Sequence, residues 1–111
     1  MKKLHPAKDP ERNVWMQLGF ADAEEHFLKA ELVLRLSKTL KSRGLTQLAA
    51  ARKADVSQPE LSKILNGKFS EVSLERLMHI LASLGNDIEI KIRASQKSGE
   101  ITVTDARPRA A

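Results

Sequence analysis

The stretch from Leu45 to Gly67, LTQLAAARKADVSQPELSKILNG, decides the fold of this chain. Thr46 and Ser57 each precede a run that suits a helix, and their hydroxyls can accept free backbone N–H groups of a first helical turn. Gly67 stands where a helix commonly ends, because glycine adopts the left-handed conformation at little cost. The stretch therefore predicts two short helices separated by a tight turn, over about residues 46–53 and 57–66.

Small and apolar residues stand where two such helices must touch if they cross at a steep angle, namely Ala51, Val56, Leu61 and Ile64. A residue larger than Ala51 would push the helices apart. The turn between them needs a residue that tolerates positive φ, and Asp55 visits that region more readily than most non-glycine residues. These features indicate a helix-turn-helix motif over residues 46–66.

The stretch from Gly44 to Gly85 resembles the XRE family of lambda-repressor and Cro-like DNA-binding domains. The resemblance is carried by Leu45-Thr46-Gln47, by Val56-Ser57-Gln58 at the entry to the second helix, and by Asn66-Gly67 at its exit. The flanks are similar to those of HigA-type antitoxins, which are encoded beside RelE-like toxins. These flanks read Gly19-Phe20, Lys29-Ala30-Glu31-Leu32, Ser73-Leu74-Glu75-Arg76-Leu77 and Leu84-Gly85-Asn86-Asp87-Ile88-Glu89-Ile90.

The resemblance implies a lambda-repressor-like helical bundle whose second motif helix enters the major groove of DNA, the groove that is wide enough for a helix. The base-reading residues that it implies are Ser57, Gln58, Pro59 and Ser62. Gln58 is the best reader among them, because its amide can form two hydrogen bonds with adenine. The implied phosphate contacts are Gln47, Lys63, Lys68 and Arg43, with Lys53 as a secondary expectation. The alternative for each lysine is a surface charge that contacts only solvent.

A long first helix is predicted from about Ala23 to Arg43, with Asp22 as its N-cap and Gly44 after its end. Its apolar residues cover more than half of the helix circumference, which suggests two packing contacts. Residues 1–20 form a predicted arm. It carries an apolar cluster around Trp15, made of Val14, Trp15, Met16, Leu18 and Phe20. This arm packs either on the first helix of its own chain or on a partner protein.

A last helix is predicted from the Ser73 cap to about Leu84, and after it the hydrophobic period changes to two. Ile88, Ile90 and Ile92 alternate with charged residues, which predicts a strand from Asp87 to Arg93. A lone strand leaves its backbone groups unpaired, so we expect it to join two subunits of a homodimer. A hairpin with residues 101–104 is also compatible. The predicted organisation is an arm (1–20), a DNA-binding domain (21–86), a dimerising strand or hairpin (87–104) and a basic tail (105–111).

Composition narrows the function classes. The formal net charge is +5 and the pI is about 9.7, which favours an anionic partner such as double-stranded DNA. No cysteine is present, the three histidines match no metal spacing, and no phosphate-binding or dinucleotide-binding glycine pattern occurs. The sequence therefore predicts a cytoplasmic, mainly α-helical regulator that is not an enzyme and has no cofactor, metal or membrane segment. Two roles stay open: antitoxin of a RelE/HigB-like toxin that autoregulates its operon, or a stand-alone or phage-type XRE regulator.

Overall fold

The computed structural model describes residues 23–108, so the predicted arm over residues 1–20, the predicted N-cap Asp22 and residues 109–111 of the predicted tail lie outside the described residues. Within residues 23–108 four α-helices follow one another: α1 Ala23–Arg43, α2 Gln47–Ala54, α3 Gln58–Leu65 and α4 Leu74–Ser83. The prediction of a mainly helical chain is confirmed, and each helix lies within about two residues of its expected bounds. None of these helices is long and apolar enough to cross a membrane.

One apolar core lies between the helices. The long helix α1 packs against α4 and α3, and α2 packs against both α3 and α4. The largest fully buried side chains come from α1, α3, α4 and the residue after α4; they are Leu36, Leu61, Ile64, Leu77 and Leu84. This core contains only aliphatic and alanine side chains apart from Phe69, which agrees with the low aromatic content of the sequence.

The first turns of α1 hold the loop that follows α3. Lys29 is buried, and its ammonium donates a hydrogen bond to the carbonyl oxygen of Ser70 at 3.0 Å and contacts the Glu25 carboxylate at 3.2 Å. The His26 ring stacks on Phe69, with ring centroids 5.5 Å apart. Burial of a lysine is costly unless its charge is paired and hydrogen-bonded, and both conditions are met here. The loop is therefore fixed against α1 by polar as well as apolar contacts.

The predicted C-terminal strand or hairpin is not seen: within residues 23–108 no strand forms. Ile90 and Ile92 are 75% and 93% exposed, and no partner strand lies beside them among the described residues. Alternation of apolar and charged residues does not make a strand by itself, because a hydrogen-bonded ladder needs a second backbone to pair with. The segment expected to complete the hairpin is held by α1 instead. Arg35 donates a hydrogen bond to the Val103 carbonyl oxygen at 3.3 Å and another to the Asp105 carboxylate at 2.8 Å.

Arg35 fastens this C-terminal segment through a guanidinium with several partners. The same group bonds to the side-chain and backbone oxygens of Glu31, at 2.8 and 3.0 Å. Burial lowers the pKa of Arg35, but its hydrogen bonds to Glu31 and Asp105, and the charges of both carboxylates, raise the pKa above its ordinary value. Arg35 therefore stays charged, and Val103 packs against the core beside it.

Candidate nucleic-acid interface

The turn between α2 and α3 uses Asp55 where many such turns use glycine. Asp55 adopts a left-handed conformation, with φ 57° and ψ 46°. The Val56 N–H then bonds to the Ala51 carbonyl oxygen at 3.0 Å, and the Asp55 N–H bonds to the Arg52 carbonyl oxygen at 3.3 Å. This pair of bonds closes the end of α2 as a Schellman motif. The expected positive φ at Asp55 is present.

The contact between α2 and α3 is made by the residues that the sequence singled out. Ala51 is buried on α2, Leu61 and Ile64 are fully buried on α3, and Val56 packs partly buried against the same core. The small side chain of Ala51 allows the two helices to approach each other. The core therefore fixes the angle at which α3 stands on the surface of the domain.

Ser57 caps the first turn of α3. Its backbone is extended, and its hydroxyl accepts a hydrogen bond from the Glu60 N–H at 3.1 Å. Pro59 lies in the first turn, where its missing N–H leaves no helical bond unmade. The Ser57 hydroxyl hydrogen is not used by this bond and can still be donated to a ligand.

Two lysines, Lys63 and Lys68, lie at the C-terminal end of α3. Gly67 has φ 93°, and this conformation lets the Lys68 N–H bond to the Lys63 carbonyl oxygen at 2.8 Å. The Gly67 N–H bonds to the Ile64 carbonyl oxygen at 3.1 Å. Both lysine side chains are exposed at this end of α3. The end of the helix therefore presents two positive charges to solvent.

The surface of α3 that faces away from the core is polar. Gln58, Pro59, Ser62 and Lys63 fall within an arc of about 140° around the helix axis, opposite Leu61 and Ile64. Three of the four are exposed, and Ser62 is half-buried. The Asn66 amide donates to the Ser62 carbonyl oxygen at 2.9 Å and lies 3.4 Å from the Ser62 hydroxyl. The face holds amide and hydroxyl groups, which can read base edges, and a cation, which can bind phosphate.

An ion pair joins the opposite side of α3 to α4. Arg76 donates to both carboxylate oxygens of Glu60, at 3.2 Å each, in a forked geometry. Both side chains are partly exposed, so the stabilisation from this pair is modest. It neutralises the only acidic residue on α3 and leaves the polar face described above free of negative charge.

The remaining predicted phosphate-binding residues lie on α2 and at the end of α1. Gln47 is half-buried at the first position of α2, where the free N–H groups and the helix dipole favour an anion. Lys53 is exposed near the end of α2. The Arg43 guanidinium donates to the Gly85 carbonyl oxygen at 3.0 Å and therefore holds the end of α4. A phosphate at Arg43 would have to share or replace this contact.

Sequence reasoning missed two side chains that position the site, Lys29 and Arg76, and a third, Arg35, that holds the C-terminal segment. The only local signals were acidic residues four positions before Lys29 and Arg35. Two of their distant partners are the carbonyl oxygens of Ser70 and Val103, which every residue type carries and which a sequence therefore does not single out.

A shallow cleft of about 260 Å³ lies beside α4 and is lined by Ala54, Ser73, Glu75, Arg76, His79 and Ile80. Its acid and imidazole, Glu75 and His79, lie 3.8 Å apart and are both largely exposed. Within residues 23–108 no group of three or more metal-ligating side chains converges. The cleft does not provide the desolvated surroundings in which catalytic acids and bases are found.

The fold and the polar face of α3 define a DNA-binding helix-turn-helix protein. Residues 14–93 match a family model described as a helix-turn-helix domain. A solved structure described as an XRE family transcriptional regulator is 36% identical in sequence and superposes with a TM-score of 0.73, covering 77% of this chain and 99% of that chain. No curated protein is significantly similar to the chain. The chain belongs to the XRE family of helix-turn-helix transcriptional regulators.

Proposed function

We propose that this XRE-family regulator represses transcription by reading a two-fold symmetric operator as a homodimer, with α3 of each subunit in the major groove. The observation that carries the proposal is the polar face of α3, defined above by Gln58, Pro59, Ser62 and Lys63. This face is held at a fixed angle by a core contact, by a capped first turn and by an ion pair to α4. A rigid helix with exposed amide and hydroxyl groups suits direct reading of base edges.

Different residues of the site have different roles in this proposal. Gln58, with Ser57, Pro59 and Ser62, contacts base edges and supplies sequence preference. Gln47, Lys63 and Lys68 contact phosphates and supply affinity that does not depend on sequence. Arg43 contacts a phosphate as well only if its guanidinium can share the bond that it makes to the Gly85 carbonyl oxygen.

The proposed homodimer supplies a second recognition helix. One short helix in one groove gives limited affinity, and helix-turn-helix dimers bind half-sites about 34 Å apart, or about 10 base pairs. The segment from Asp87 to Arg93, with its exposed isoleucines, supports a subunit contact there, because an apolar row is costly to leave in water. We place the protein in the cytoplasm, because such a repressor must be in the compartment that holds its operator.

Selection from a library of random DNA duplexes tests the proposed function. The full-length protein should enrich an inverted repeat whose half-sites are centred about one helical turn apart. The bound complex should contain two protein chains per duplex, as measured by analytical ultracentrifugation. Enrichment of no sequence at 150 mM salt, or of a single half-site bound by one chain, would contradict the proposal.

The finer role that we propose is that of the antitoxin in a type II toxin-antitoxin pair, which neutralises a RelE/HigB-like toxin and autoregulates its operon. Support comes from the resemblance of the flanking sequences over residues 19–93, and from the apolar face of α1, on which Leu34 is 50% exposed. The alternative is a stand-alone or phage-type XRE regulator.

Co-expression distinguishes these two roles. A RelE/HigB-like toxin encoded next to this gene should arrest growth alone and lose its effect when this protein is co-expressed. Deletion of residues 1–18, which carry all of the apolar cluster around Trp15 except Phe20, should abolish neutralisation and preserve operator binding. A neighbouring gene of another kind, or growth arrest that persists in the presence of this protein, would favour the stand-alone regulator.

A further inference from the structure

The segment from Asp87 to Arg93 reads Asp-Ile-Glu-Ile-Lys-Ile-Arg. Its acidic residues occupy the first half, its basic residues occupy the second half, and an isoleucine separates each charge from the next. Reading the segment backwards therefore replaces each charge by one of the opposite sign. An antiparallel copy of such a segment would place opposite charges next to each other.

The structure presents this segment as a projection from α1. At its start, the Asn86 amide donates to the Thr39 hydroxyl oxygen at 3.2 Å and to the Leu81 carbonyl oxygen at 2.9 Å. At its return, Arg35 holds the Val103 carbonyl oxygen and the Asp105 carboxylate. Thr39 and Arg35 lie one turn apart on α1, or about 6 Å along its axis. Residues 87–102 thus leave α1 and come back to nearly the same place.

The isoleucines of this projection are exposed, increasingly so away from its start: Ile88 is 39%, Ile90 75% and Ile92 93% exposed. Among the described residues no backbone ladder pairs with them. The three isoleucines therefore combine two features that favour strand addition, an exposed apolar row and a backbone that forms no ladder within residues 23–108.

We propose that the segment pairs with the same segment of a second copy of this chain, antiparallel, in a register centred on Ile90. In this register Ile90 faces Ile90 of the second copy, and Ile88 faces Ile92. On the other face Glu89 lies opposite Lys91, and Asp87 lies opposite Arg93. The two-fold axis repeats every pair, so the isoleucines form one apolar face and opposite charges cover the other. The inference rests on the homodimer proposed above and adds the direction and the register of its pairing.

The neighbouring registers are less favourable for electrostatic reasons. A shift by two residues in one direction brings Lys91 opposite Lys91, and a shift in the other direction brings Glu89 opposite Glu89. A shift by one residue opposes isoleucines to charged residues and mixes the two faces. A parallel in-register pair places every charge opposite an identical charge, which is destabilising. Of these arrangements, only the one centred on Ile90 pairs each charge with its opposite.

Single cysteine variants test the register, because the natural chain has no cysteine. Directly opposite residues of an antiparallel pair have Cα atoms about 4.5–5.5 Å apart, a distance that a disulfide can bridge. Under mild oxidation Ile90→Cys should give a disulfide-linked dimer in high yield. Ile88→Cys and Ile92→Cys should each give little, but a mixture of the two should give the linked heterodimer. Sedimentation of each reduced variant shows whether the dimer persists.

The pattern of cross-links separates the possible outcomes. Efficient linkage of all three single variants would indicate parallel pairing and overturn the register. Linkage of none, with a dimer still present and the operator still bound, would place the subunit contact elsewhere and leave the proposed function intact. A monomer that still binds its operator would overturn both the contact and the proposed dimeric reading.

Charge exchange gives an independent test. A basic variant carries Asp87→Lys and Glu89→Lys, and an acidic variant carries Lys91→Glu and Arg93→Glu. Each variant alone should self-associate at least about tenfold more weakly than the natural chain, because four cross-strand pairs become repulsive. An equimolar mixture should form heterodimers, detected by native mass spectrometry. Helical content by circular dichroism controls for folding, and equal self-association of all variants would refute the proposal.

Discussion

The two serine caps of α3 and α4 provide a matched pair of perturbations. Ser57 and Ser73 have nearly identical backbone dihedral angles, φ −73° and ψ 152° against φ −72° and ψ 155°. Their hydroxyl oxygens accept the same type of bond, at 3.1 Å from the Glu60 N–H and 3.0 Å from the Arg76 N–H. Both serines are exposed. Replacement by alanine should therefore cost the same free energy of unfolding at both positions, about 1 kcal/mol.

Only Ser57 lies at the proposed DNA-reading end of α3, so DNA affinity should separate the two variants. Thermal unfolding followed by circular dichroism should show a fall in Tm of roughly 4–8 °C for Ser57→Ala and for Ser73→Ala alike. Fluorescence anisotropy with the selected operator should then show weaker binding for Ser57→Ala, while Ser73→Ala binds as the natural chain does at a temperature where both are folded. Equal loss of operator affinity in the two variants would refute a direct role for the Ser57 hydroxyl. A large difference in Tm would refute the equivalence of the caps.

Three further outcomes test the site, the core and the C-terminal segment. Gln58→Ala should cost about 1–3 kcal/mol on the selected operator and little on random DNA, whereas Lys68→Ala should weaken binding to both and reduce the salt dependence by about one unit of slope; titrations at several salt concentrations measure both effects. Leu61→Ala should destabilise the domain by roughly 2–5 kcal/mol, because it empties a fully buried site at the contact of α2 and α3, and urea unfolding measures the loss. Arg35→Met should release the segment around Val103 from α1, with faster amide exchange there and unchanged exchange in α3 as the internal control.

The helices could be predicted from the sequence because their signals are local. Thr46, Ser57 and Ser73 cap the first turns with their own hydroxyls, and the bond in each case spans only three residues. Asp55 closes α2 in the conformation that its side chain tolerates, again within one turn. These interactions are decided by residues near one another in the chain. Helix bounds were therefore accurate even without knowledge of the tertiary contacts.

The strand and the partners of the cations could not be predicted in the same way. Alternation at Ile88, Ile90 and Ile92 indicates which side chains share a face of an extended segment, but it does not say what the backbone pairs with. Arg43 was expected at a phosphate because of its charge and position, and the structure places its guanidinium on the Gly85 carbonyl oxygen. Every residue has a backbone carbonyl, so the sequence does not indicate which of them a cation will bind.

A single helix connects the two surfaces on which the proposed function depends. Near its start, Lys29 of α1 holds Ser70 in the loop that follows α3 and carries Lys68. About ten residues, or roughly 15 Å, further along the same helix, Thr39 holds the beginning of the projection that is proposed to pair with a second copy. Helices of this length bend little over such a distance, so the position of α3 relative to the projection is set by rigid contacts at both ends. In a dimer centred on Ile90, the spacing of the two recognition helices would then follow from the geometry of α1, and this geometry would define one half-site separation.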